Sequence, residues 1–120
     1  MKAFRITALG VALLALGACA TTPPPAPEMA VANAALAHAV AAGSVEFAPT
    51  EMAMARDKMA RANVAFAAGK NDSALALAQQ VLLDAQLAEA KAESEKANRS
   101  ASALKDAARA LREEMARQPK

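Results

Sequence analysis

Between Gly69 and Pro119 the chain runs through 49 residues without a glycine or a proline. Those two residues are the usual punctuation of a helix, so their absence predicts one long uninterrupted segment. Some 45 helical residues span roughly 68 Å at 1.5 Å each. A helix of that length either serves as the spine for shorter ones or reaches beyond them. Alanine, the strongest helix former, fills 37 of the 120 positions. Trp and Tyr are absent and Phe occurs three times, which argues against a β-sandwich or barrel. One His and one Cys exclude a Cys/His zinc cluster. Four glycines, none in a phosphate-loop pattern, exclude a nucleotide-binding βαβ unit. The fold class is all-α: an alanine-rich antiparallel hairpin plus a short N-terminal helix, with the third helix extending beyond the hairpin.

The periodicity places helices at about 28–42, 49–68 and 72–117, within a helical domain over 29–120. In the first, Pro27 and Glu28 suit the first turn, Met29, Leu36 and Val40 with Ala32 and Asn33 form a thin stripe, and Gly43 stops it. In the second, Pro49 fits N1 and Glu51 N3, and Phe47 and Met52 have the spacing of a hydrophobic staple. Met52, Ala55, Met59, Ala62 and Phe66 make one seam, and Gly69 ends it. Asn71 or Asp72 is expected to cap the third. At 100° steps the third helix carries two stripes. Leu75, Leu77, Val81 and Leu82 share an arc with Ala74, Ala78, Ala85, Ala88 and Ala92, which stops near Ala92. The other holds Leu83, Leu87, Ala90, Ser94, Ala97, Ala101, Leu104, Ala108, Leu111 and Met115, at heptad spacing to the helix end. The second helix therefore pairs antiparallel with residues 72–92. Leu83, Leu87, Leu104, Leu111 and Met115 form a candidate interaction stripe for a second copy or an envelope protein; the first helix is expected to cover part of it near Leu83 and Leu87, leaving Leu104, Leu111 and Met115 over.

The N-terminus is an address. Lys2 and Arg5 precede an apolar run from Ile6 to Leu16. Eleven residues are too few to span a bilayer, so residues 1–18 read as an export signal. Its end, Leu16-Gly17-Ala18-Cys19, resembles the lipobox of bacterial lipoproteins. The resemblance implies cleavage between Ala18 and Cys19, a diacylglyceryl thioether on the Cys19 sulfur, and a third acyl chain on the new amine. One acyl chain anchors only marginally; three would hold the protein on the bilayer. Ala20 stands where inner-membrane retention commonly uses Asp, which resembles the default route to the outer membrane, periplasmic face. Ala20 to Glu28 holds four prolines in nine residues, so 19–28 reads as a lipidated cysteine and a polyproline spacer of roughly 25 Å. Removing Lys2 and Arg5 from the 14 basic residues balances them against the 12 acidic ones. Lys and Arg alternate with Glu and Asp in the last third, so no basic stripe for nucleic acid exists.

Residues 47–90 resemble family 4398 of the bacterial domains of unknown function, short helical repeats in envelope lipoproteins. The resemblance rests on Phe47-Ala48-Pro49, Glu51-Met52, Ala55, Lys58-Met59 and Ala62, and on Ala67-Ala68-Gly69, Ala74, Leu77-Ala78, Ala85, Leu87-Ala88 and Ala90. Where the family usually has Asp-Tyr after that glycine, this chain has Lys70-Asn71. Met52 and Met59 stand where leucines are usual. The resemblance implies a hairpin and envelope residence, with no defined activity.

No catalytic constellation or cofactor motif appears. His38 is the lone histidine, off the apolar stripe, and no glycine-flanked nucleophile is present. Met52 and Met59 share a helix face and Met54 points away, so the three thioethers cannot meet on one metal ion. Glu95–Arg99, Asp57–Arg61 and Glu113–Arg117 have the order of stabilising i,i+4 pairs. A C-terminal Lys120 on a small lipidated helix is similar to the murein lipoproteins, and implies peptidoglycan linkage as an alternative. The expectation is a non-enzymatic outer-membrane lipoprotein with a structural or adaptor role, the alternative being a hairpin that binds a periplasmic protein or peptide. Cys19→Ser is expected to abolish signal processing and acylation, read by whole-protein mass and labelled-palmitate incorporation; an acylated variant would refute the anchor.

Overall fold

The computed structural model describes residues 22–118, and its helices are α1 (Ala26–Ala41), α2 (Ser44–Phe47), α3 (Pro49–Ala67) and α4 (Asn71–Arg117). The three long helices match the expected ones to within a few residues at every end. The short α2 is an additional element: Gly43 and Pro49, which the sequence marks as a helix stop and a helix start, bracket it. Ala18, Cys19 and Lys120 lie outside the described residues.

α4 is the spine. Its buried residues are Ala74, Ala78, Val81, Ala85, Ala88 and Ala92, alternating steps of four and three. α3 lies antiparallel against this line through Met52, Ala55, Met59, Ala62 and Ala65. α1 packs on α4 and, less extensively, on α3. Met29 and Ala32 of α1 join Met59, Ala62, Ala78 and Val81 in one core cluster. Ala39, Ala48, Met52, Ala85 and Ala88 form a second. Leu36 packs against both. Alanine along the seam explains how three helices share so thin a core. A methyl side chain lets backbones approach closely, and packing then rests on many short contacts.

Four expectations are corrected here. Phe66 is half out of the bundle and Ala65 takes its place in the seam. Val40 is exposed, as is Asn33; α1 turns Ala39 inward instead. α1 does not cover Leu83 or Leu87, which are 64% and 55% exposed. Those leucines stand about 180° around α4 from the alanine line at 100° per residue, whereas the core that holds Met29 and Leu36 lies on that line. Finally, Asn71 and Asp72 do not cap α4. Asn71 Nδ2 donates to the Thr22 carbonyl at 2.7 Å, and the Thr22 hydroxyl donates to the Asp72 carboxylate. Pro25 is buried as well, and residues 23–25 border a groove with Leu75. The proline segment from Thr22 onward is therefore docked on the bundle instead of standing clear of it.

Two glycines make the connections. Gly69 has φ +68°, and the Lys70 amide donates to Ala65 while the Gly69 amide donates to Phe66, the paired bonds of a Schellman stop. Gly43 has φ +85°, and a Cβ there would sit 3.1 Å from Lys96 Nζ.

Ala85 is fully buried and Ala103 is exposed and lies off the heptad stripe. Ala85→Leu is expected to destabilise by about 1–3 kcal/mol through overpacking, and Ala103→Leu to stay within about 0.5 kcal/mol. Thermal unfolding followed by circular dichroism checks this; equal losses would mean that the alanine line is not the close contact.

Candidate functional site

α3 and α4 are held in register by two ion pairs, Lys58–Asp84 and Glu51–Lys91, each at 2.6 Å. Glu51 holds its carboxyl below the ordinary value of 4.5, first because it accepts a hydrogen bond from Lys91, with a backbone bond helping and burial opposing. One turn further on, α2 latches onto α4. Arg99 pairs with Glu46 at 3.2 Å, and its guanidinium lies 4.5 Å over the Phe47 ring, with Lys96 Nζ at 5.5 Å. Lys96 also donates to the Ala42 carbonyl at the end of α1, where a cation suits the negative end of the helix. The latch was missed in the sequence because Arg99 has Glu95 one turn back. In the fold Arg99 turns to Glu46, Arg117 pairs with Glu114 at 3.9 Å, and only the expected Asp57–Arg61 pair forms, at 3.8 Å.

The latch marks where α4 leaves the bundle. From Glu93 to Gln118 every residue is exposed. Ser100 to Arg117 alone makes an arm of roughly 27 Å. Along its outer face lies the predicted stripe. Leu83, Ala90, Ala97, Leu104 and Leu111 repeat every seven residues, and so do Leu87, Ser94, Ala101, Ala108 and Met115; all are exposed. Leu104, Leu111 and Met115 are 72%, 62% and 66% exposed. The structure thus puts all five stripe residues on one face and covers none of them. The stripe has edges of different sign. Asn98, Lys105 and Arg112 follow one heptad line, and Glu93, Ser100, Ala107 and Glu114 precede the other. In a parallel pair of such helices these edges face each other; in an antiparallel pair each faces its like.

The rest of the surface offers less. His38 is exposed and borders an open groove with Gln86 and Glu89. Met52 and Met59 are buried, and Met54 is 45% exposed. Among the described residues no three metal-ligating side chains converge, and no helix is long and apolar enough to cross a membrane.

The described residues thus form an all-helical fold, a hairpin of α3 and α4 with α1 packed on it and α4 drawn out past it. Residues 27–110 match the domain of unknown function DUF4398, and the chain belongs to that family. The match is wider than the 47–90 resemblance read from the motifs: it takes in nearly all of α1 and the arm as far as Ala110. No curated protein and no solved structure matches the chain.

A carboxyl with a lowered folded pKa contributes stability that is present above its unfolded value and lost as pH falls through the folded one. Lys91→Met is therefore expected to be less stable than the native chain at neutral pH, with the gap closing as pH drops below 4.5. Unfolding midpoints measured across the acid range check this; a gap independent of pH would remove the Glu51–Lys91 pair from the account.

Proposed function

We propose that this chain is an outer-membrane lipoprotein, acylated on Cys19, that acts in the periplasm as a non-enzymatic structural or adaptor element. The observation that carries the reading is the uncovered heptad stripe from Leu83 to Met115. Ten positions keep this spacing over more than four heptads, and the five that carry large apolar side chains, Leu83 and Leu87 at one end and Leu104, Leu111 and Met115 at the other, support a coiled-coil seam. The lipobox resemblance supports the anchor, and family membership is consistent with the envelope reading without naming an activity.

The occupant of the stripe is a second copy of the chain, in parallel register. Parallel pairing matches the stripe along its full length. It sets Lys105 and Arg112 opposite an edge of Glu, Ser and Ala. Antiparallel pairing would set Lys105 and Arg112 against their like, and Glu93 and Glu114 likewise, which is unfavourable. Two copies anchored in one bilayer at the same end are already parallel and at raised effective concentration. That compensates for a seam in which Ser94 and four alanines bury little apolar area.

The test is the solution mass of the acyl-free chain beside Leu104→Glu/Leu111→Glu. The native chain is expected to associate with rising concentration, and the double variant to remain a monomer. Its thermal midpoint is expected to hold within about 2–4 °C of the monomeric chain, since exposed substitutions change stability by about 0.5 kcal/mol or less. Equal masses at every concentration would overturn the pairing.

A further inference from the structure

We infer that the α3–α4 turn end of the bundle is a lipid-facing surface and that α4 stands away from the bilayer. The inference rests on the Cys19 anchor proposed above and adds which part of the protein meets the membrane. Thr22 is tied to the first turn of α4 through both its carbonyl and its hydroxyl. Pro25, three residues on, is buried against the same end. Three residue steps separate Thr22 from Cys19. Covalent geometry therefore keeps the two Cα atoms within about 11 Å, whatever conformation lies between. A spacer free from Ala20 to Glu28 would have allowed the domain to tumble well above the headgroups. The docking of residues 22–25 leaves no such freedom.

The end so held carries Phe66, Gly69 and Lys70 from the hairpin turn and the start of α1. Phe66 is half-exposed and Lys70 is exposed. An exposed aromatic ring and a long-stemmed ammonium at the same end of the bundle each suit the headgroup region of an anionic bilayer. Gln118 lies at the other end of a 47-residue helix, roughly 70 Å away along its axis. The bundle then sits at the surface, and the arm bearing Leu104, Leu111 and Met115 projects into the periplasm.

The experiment uses full-length acylated protein in vesicles of phosphatidylethanolamine and phosphatidylglycerol doped with a nitroxide headgroup lipid. A fluorophore is placed on Lys70→Cys or on Gln118→Cys; a Cys19 sulfur already in thioether linkage does not label. Quenching at residue 70 is expected to be at least several-fold stronger than at residue 118. Asn71→Ala, which cuts the tie to Thr22, is expected to weaken quenching at residue 70 while circular dichroism shows the helices intact. Equal quenching at both positions places the helix flat on the surface, and none at either lifts the domain clear; each overturns the inference. Unchanged quenching in Asn71→Ala removes the tie as its cause. A protein whose mass lacks acyl chains, or that fails to float with the vesicles, refutes the anchor instead.

Discussion

The line of alanines from Ala74 to Ala92 is the constraint on which the rest of this molecule depends. The described residues include few large apolar side chains, and among these only Met29, Met52, Met59 and Val81 are deeply buried. Such a core cannot hold helices apart at leucine distance and still exclude water. With methyl groups along the seam, α1 and α3 both come down onto α4, and the few buried bulky side chains sit in clusters that join all three helices. Leu36 joins the upper and lower clusters in this way. Gly69 and Gly43 serve the same end, since each reverses the chain tightly enough to bring the next helix back to the seam.

The ion pairs act on a different property, register. Alanine faces are smooth, and one alanine resembles the next. A slip of one heptad along α4 would change few apolar contacts. Lys58–Asp84 and Glu51–Lys91 distinguish the observed register from the slipped ones, and the Glu46–Arg99 latch fixes where the bundle ends. Beyond that point α4 has no partner among the described residues, although its heptad repeat continues without a break. The two halves of one helix thus use opposite faces. The alanine line serves the bundle, and the leucine line is left for contacts outside it.

Much of this was legible in the residues. The glycine- and proline-free run announced α4, and Pro49, Gly69 and Gly43 gave the helix limits. The two arcs at 100° steps separated the buried face from the exposed one, and the end of the first arc at Ala92 coincided with the end of burial. Periodicity could say which residues share a face, and the failures came where it could not say what faces them. α1 was expected to cover Leu83 and Leu87 because leucines attract cover. In three dimensions the alanine seam offered Met29 and Leu36 a better-packed groove on the far side. Phe66 lies on the seam direction and Ala65 about 100° from it at ideal helix geometry, yet Ala65 is the buried one. The Arg99–Glu46 latch spans 53 residues, so no local spacing rule could have found it.

The sequence by itself determined the helices, their lengths and the existence of a second, uncommitted stripe, because these follow from local propensity and from a period that any helix must obey. Tertiary structure alone decided which partner each face received and where the proline segment went. Asn71 and Asp72 show the difference most directly. Read locally they are capping residues at the start of a helix. In the fold their side chains turn to Thr22, because the docked segment brings a carbonyl and a hydroxyl within reach, and a hydrogen bond forms with whichever partner the packing supplies.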